Sequence, residues 1–260
     1  NVVWISQLGN TTMGAASAGS ETARGIAFDS NGDLILTGET SGNLGETNAG
    51  SNDAFIAKLN KSNGAVSWVK QLGNTTIGAA ANASDHGYDV ALDSSDNIYV
   101  TGITTGSLGE TNGGSVDAFI AKFDSSGTSL WIKQLGNTTM GANASASDYA
   151  NAIVLSNTGE IYITGETKGN LGESNAGFRD SYVSKFDTSG NLVWVKQLGS
   201  VTSANAAGND YSADIAVGAD LNFYITGKTF SSYEIFNNSS TASNTSDGYF
   251  AVFDANGNLN

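Results

Sequence analysis

Acidic side chains recur in this sequence at spacings that could gather them into sites. Glu21, Asp85, Asp148 and Asp210 each stand five residues before an apolar position, Ile26, Val90, Ile153 and Ile215. Like charges brought together raise their pKa values or recruit a cation. An all-oxygen donor set selects calcium or magnesium over zinc. A second series, Asp53, Asp117, Asp180 and Asp247, opens another repeated phrase. An Asp at such an entrance bonds loop amides. A third set is Asn43, Glu46 and Asn48, repeated as Ser107, Glu110, Asn112 and as Asn170, Glu173, Asn175. These oxygen-rich, Gly-spaced loops suit hard cations or sugar hydroxyls. There is no Cys and a single histidine, His86, so thiolate chemistry and two-histidine sites are excluded. His86 sits in a slot that Thr22, Tyr149 and Tyr211 fill elsewhere, and is expected on a surface loop. Every carboxylate pair repeats, whereas a catalytic pair breaks symmetry, so no enzyme is expected.

The elements that position these residues follow from an internal repeat. Trp4, Trp68, Trp131 and Trp194 are spaced by 64, 63 and 63 residues, each in a phrase such as VSWVKQLGN. Three more phrases share the period, typified by DVALD, NIYVTGIT and DAFIAKFD. All are short, rich in Val, Ile, Tyr, Phe and Thr, and bounded by Gly, Asn, Asp and Ser, which reads as strands. Asp29-Ser30-Asn31-Gly32 and Asp124-Ser125-Ser126-Gly127 read as hairpin turns, because Asp bonds its own backbone and Gly supplies positive φ. The expected fold is all-β: a four-bladed β-propeller with four antiparallel strands per blade. One domain over residues 1–260 is expected, with blades near 20–73, 84–136, 147–199, and 209–254 plus 1–9. The chain begins on a fourth-strand phrase and ends after a third-strand one. Residues 2–8 are therefore expected to pair with 248–253 and close the ring, which removes edges. The loop Phe230 to Phe236, with Tyr233 between them, departs from the repeat and is the expected contact for a partner. The four acids Glu21, Asp85, Asp148 and Asp210 are expected to converge on the propeller axis around a calcium ion. The rival is that they turn outward and cap loop amides.

Net charge is −14, from 11 Lys and Arg against 25 Asp and Glu. That balance excludes duplex nucleic acid and anionic membrane surfaces as partners. No apolar run approaches the ~20 residues of a membrane span. The chain opens on Asn1-Val2-Val3-Trp4 rather than on a signal-peptide pattern, and is expected either never to have had one or to be a processed or trimmed form.

Three stretches resemble the bacterial beta-propeller repeat family: Tyr99-Val100-Thr101-Gly102-Ile103-Thr104, Asp117-Ala118-Phe119-Ile120-Ala121-Lys122-Phe123-Asp124, and Leu130-Trp131-Ile132-Lys133-Gln134-Leu135-Gly136. The resemblance runs over essentially the whole chain, and it implies a secreted or surface protein. The combined expectation is a monomeric, non-enzymatic binding module for a protein or glycan, without an organic cofactor. A lectin-like propeller is the first alternative and a hydrolase using loop carboxylates the second. A purely structural role within a larger protein is a further one.

Overall fold

A computed structural model describes residues 3–9, 19–73, 83–136, 146–199, 208–230 and 246–259. They form four sheets with strands in up-and-down order. The first contains β1 (Glu21–Phe28), β2 (Leu34–Thr40), β3 (Asp53–Leu59) and β4 (Val66–Leu72). The second contains β5 (Asp85–Leu92), β6 (Ile98–Thr104), β7 (Asp117–Phe123) and β8 (Ser129–Leu135). The third contains β9 (Asp148–Leu155), β10 (Ile161–Thr167), β11 (Asp180–Phe186) and β12 (Leu192–Leu198). The fourth has three strands only: β13 (Asp210–Val217), β14 (Phe223–Thr229) and β15 (Asp247–Phe253). The chain groups into two compact units, Asn1–Asn112 with Ala118–Gln134, and Gly113–Asp117 with Leu135–Asn260.

The hairpin turns fold as their composition dictates. In the first sheet, Asp29 Oδ1 accepts the amides of Asn31 (3.0 Å) and Asp33 (2.8 Å), and Gly32 takes a φ of +81°. The first strands begin earlier than their apolar phrases, at the recurring acid itself, because a bulge interrupts each of them. His86 is therefore the second residue of β5 and half-buried, not a loop residue as its slot suggested. The bulge also explains the glycine of the T-G phrase. A Cβ on Gly102 would lie 1.8 Å from the His86 carbonyl oxygen, and Gly38, Gly165 and Gly227 meet Thr22, Tyr149 and Tyr211 in the same way.

Each unit has a core between neighbouring sheets. In the first, Ile35, Ile56 and Leu72 pack with Val90, Val100, Phe119 and Phe123. In the second, Tyr162, Val183 and Leu198 pack with Ile215, Phe223, Ile225 and Phe253. Both faces of β6 and β10 are covered, so these strands are buried throughout; their mid-strand Thr101 and Thr164 donate to the Phe119 and Tyr182 carbonyls. The tryptophans lie where one sheet meets the next: Trp68 sits over Gly127, and Trp194 over Gly257.

Among the described residues, 3–9 form no strand and β15 has one sheet neighbour, β14, so the expected closure by residues 2–8 is not observed. The segment is instead anchored to the first sheet. The Trp4 indole N–H donates to the Lys61 carbonyl (2.9 Å), its ring covers Gly64, and Leu8 packs with Phe55, Leu59 and Val69. These are the contacts that a fourth strand makes with the sheet after it, and they need no ladder pairing.

Candidate functional site

The loops between second and third strands are folded onto their own sheets by the glutamine of the Q-L-G phrase. Gln71 Oε1 accepts the amides of Leu44 (2.5 Å) and Glu46 (3.2 Å), and its Nε2 donates to the Gly42 carbonyl (3.1 Å) and Asp53 Oδ2 (3.2 Å). Glu46 returns the contact, accepting the Gln71 amide (2.8 Å) and pairing with Lys70 (3.2 Å). Asn43 Oδ1 accepts the Asn48 amide (2.9 Å). Gln134 with Glu110, and Gln197 with Glu173, repeat the arrangement. Asn43, Glu46, Glu110 and Glu173 thus brace their own loops.

The Asp at each third-strand entrance also bonds loop amides: Asp53 accepts from Ala49 (3.0 Å), Asp117 from Gly113 (2.8 Å) and Asp180 from Ala176 (2.9 Å). Among the described residues no group of three or more His, Cys, Asp or Glu side chains is placed to hold a metal ion. Within each unit the backbone places the first-strand acids. Asp85 N–H donates to the Asn52 carbonyl (2.8 Å), Asp148 N–H to Val116 (2.8 Å) and Asp210 N–H to Arg179 (2.9 Å). Parallel bridges at Asn52–Ser84, Val116–Ser147 and Arg179–Asn209 fix the register. Asp85 and Asp148 are thereby set within electrostatic reach of the third-strand Asp of the preceding sheet, Asp53 and Asp117. Burial pushes Asp85 up to about 7, against the Thr104 hydroxyl and with the Asp53 charge adding. Asp148 is also pushed up to about 7, by burial against Thr167 and with Asp117 adding. Glu21, at the equivalent place in β1, is half-buried and accepts the Thr40 hydroxyl (3.2 Å).

A different cluster occupies one rim of the second unit, where first and third strands begin. The Arg179 guanidinium lies over Tyr149 (5.1 Å) and Tyr211 (5.7 Å) and pairs with buried Glu166 (3.2 Å). Asn151 Nδ2 donates to Glu166 (2.7 Å) and to the Ser212 carbonyl (2.7 Å), locking that carboxylate. Lys228 lies over Tyr211 (4.7 Å) and Phe230 (5.8 Å), and Lys168 over Phe178 (5.2 Å). Phe178 is 56% exposed and Phe230 41%. Phe230 thus joins a patch of three cations and four rings, while Tyr233 and Phe236 lie outside the described residues. In the first unit a smaller cluster pairs Arg24 with Glu39 (2.6 Å), the repeat equivalent of Glu166, and lays Arg24 over Tyr88 (5.2 Å). Sequence reasoning missed the patch. Its one legible signal was aromatic residues replacing Thr22 and His86 at positions 149 and 211.

Comparison with known proteins now adds the family. The beta-propeller repeat model matches three times, at residues 3–46, 67–113 and 130–173, just over half of the chain. The chain belongs to the beta-propeller repeat family. Each match starts near a fourth-strand tryptophan and runs through the next two strands into the braced loop, so the family repeat straddles two sheets. Among solved structures, this beta-propeller repeat protein is similar to the extracellular domain of a hybrid two component system from B. thetaiotaomicron, with 10% identity and a TM-score of 0.40. The match covers 79% of this chain and 20% of that one. It is also similar to BamB from Moraxella catarrhalis, with 11% identity, a TM-score of 0.31, and coverage of 78% and 56%. The chain therefore spans about a fifth of the first and just over half of the second. No curated protein matches.

Proposed function

We propose that this beta-propeller repeat protein is a non-enzymatic binding module whose contact surface is the aromatic and cationic rim of the second unit, and whose ligand is an acidic face of a partner protein. The observation that carries the reading is the charge contrast. In a chain of net charge −14, Lys168, Arg179 and Lys228 converge on four rings, two of them exposed. Arg and aromatic side chains are the types enriched at interface hot spots. The loop carboxylates offered by the sequence for catalysis or glycan binding are engaged in bracing, which further favours binding at the rim over hydrolysis at the loops. No helix among the described residues is long and apolar enough to cross a membrane. A secreted or surface location follows from the family resemblance, and a single chain is the proposed working unit.

The test is an array carrying Asp/Glu-rich peptides, uronate-containing oligosaccharides and neutral oligosaccharides. The wild-type protein should be retained on acidic peptides, and a Phe178→Ser/Lys228→Ala/Phe230→Ser variant should not. Retention on glycans alone would replace this reading with a lectin-like one, and equal retention of both proteins would reject the rim.

A further inference from the structure

The three cations on the rim of the second unit are not equivalent. The Arg179 side chain is 17% exposed and pairs with Glu166 (3.2 Å), whose other oxygen is held by Asn151 (2.7 Å). Its guanidinium also lies over both Tyr149 and Tyr211. That charge is matched before any ligand arrives. Lys168 and Lys228 differ. Among the described residues no acid stands within ion-pair distance of either, although Lys228 is within electrostatic reach of Glu166. Each lies over the ring of an exposed phenylalanine: Lys168 over Phe178 at 5.2 Å, and Lys228 over Phe230 at 5.8 Å. Attraction to the ring face holds the ammonium beside apolar surface. The rim therefore offers the same element twice, an unpaired positive charge set against an apolar ring in water.

The backbone fixes the two elements against one another. The Phe178 amide donates to the Gly208 carbonyl (3.0 Å), and the Phe230 amide to the next carbonyl, that of Asn209 (3.1 Å). Asn209 bridges to Arg179 on one side, and Asp210 opens the ladder to Thr229 on the other. Residues 208–210 thus run between the two phenylalanine backbones and set them two strand spacings apart, about 10 Å. Gly177 approaches this segment so closely that a Cβ there would lie 2.7 Å from the Gly208 carbonyl oxygen. An extended chain advances about 3.3 Å per residue, so one short segment of a ligand reaches both elements.

We infer that the rim takes a segment in which carboxylates stand beside apolar side chains, the carboxylates meeting Lys168 and Lys228 and the apolar groups meeting Phe178 and Phe230. This rests on the rim being the binding surface, and it narrows the ligand from acidic residues in general to acidic residues interleaved with apolar ones. A carboxylate finds an ammonium that no acid of the protein has claimed, which steers and orients the partner. The apolar neighbour takes the ring out of water, a gain that salt does not screen. A purely acidic segment would satisfy the lysines and leave both rings wet. Arg179, matched by Glu166, contributes through the shape of the rim and makes no ion pair with the ligand.

The test is titration of two end-capped peptides of equal length and charge, one alternating Glu with Leu and one alternating Glu with Ser, at low and at high salt. The wild-type protein should bind the Glu–Leu peptide about tenfold more tightly than the Glu–Ser peptide, and that ratio should widen as salt is added. A Phe178→Ser/Phe230→Ser variant should bind both peptides alike, at the wild-type affinity for Glu–Ser. A Lys168→Ala/Lys228→Ala variant should lose both, and neither pair of changes should alter the far-UV spectrum, because none of the four side chains is buried. Equal wild-type affinity for the two peptides would overturn the inference and leave the rim as a site for acidic ligands. A wild-type protein that binds neither peptide, or a lysine variant that binds both as the wild type does, would reject the rim itself.

Discussion

Replacing Gln134 with Leu tests whether the Q-L-G glutamine is what folds the loop onto its blade. The Gln134 side chain accepts the Leu108 amide at 2.6 Å and the Glu110 amide at 3.3 Å, and donates to the Gly106 carbonyl at 3.1 Å. Leu108 is buried, so leucine would orphan its amide, while the Gly106 carbonyl keeps the Thr104 hydroxyl (3.2 Å) and Asn112 Nδ2 (3.3 Å) and the Glu110 amide can reach water. The expected loss is that of one buried orphan, roughly 1–3 kcal/mol. It is a sizeable part of the ~5–15 kcal/mol by which a folded domain is stable. Urea unfolding followed by tryptophan fluorescence reads the change as a shift in midpoint at constant slope. Gln134→Glu keeps the acceptor but sets a second oxygen against the Gly106 carbonyl, so its deficit should shrink on acidification as the carboxyl regains a proton to donate. Glu110→Gln, which removes only a half-exposed ion pair with Lys133, should cost under about 1 kcal/mol. A Gln134→Leu loss as small as that of Glu110→Gln would refute the bracing role.

Two further outcomes follow from the same structure. Asp85 and Asp148 hold protons more tightly folded than unfolded, since burial raises their pKa to about 7 from 3.8. Their stabilising contribution is therefore full below pH 4 and lost as pH rises through 7, on the order of a few kcal/mol each. Asp29 has the opposite sign: buried against Lys58, it is held below the ordinary range despite its desolvation, so its contribution is present above pH 4 and lost in stronger acid. The protein should thus be most stable between about pH 4 and 6, and a Tm that rises steadily from pH 5 to 8 would contradict the burial of Asp85 and Asp148. Deleting residues 1–9 removes both Trp4 and Leu8 from the first sheet, whereas deleting Asn258 to Asn260 removes only the partly buried Leu259 from the edge of the second unit's core. The first truncation should lower the urea midpoint far more than the second, and equal midpoints would deny the segment a structural part.

The blade was legible because its signals are local. Alternating β-branched phrases, Asp and Gly turns and a 63-residue period each act within a few residues, and they located every observed strand. The bulge was not legible, so the acids of the first strands were placed ahead of the strand when they are its first residues. That shift decides their neighbours. An acid before the strand could point to an axis, whereas Asp85 and Asp148, bonded through their amides to the preceding sheet's third-strand entrance, come within electrostatic reach of Asp53 and Asp117. The strand phase at the two ends was legible, but it specifies pairing only where an edge is met. Trp4 finds an anchor in Lys61 and Gly64 without meeting one. The rim patch was the hardest to read. Tyr149, Arg179, Tyr211 and Lys228 come from four strands or strand ends, and only the register between neighbouring sheets brings them together.

The most direct measurement of the central claim is calorimetric titration of an Asp/Glu-rich peptide, chosen from the array, into wild-type protein and into the Phe178→Ser/Lys228→Ala/Phe230→Ser variant at two salt concentrations. Loss of hot-spot contacts worth about 1–2 kcal/mol each should weaken Kd by more than tenfold in the variant. Added salt should weaken the wild-type complex in the manner of an ionic contact. A variant that binds the peptide with wild-type Kd and wild-type salt dependence would contradict the claim that the rim is the binding surface.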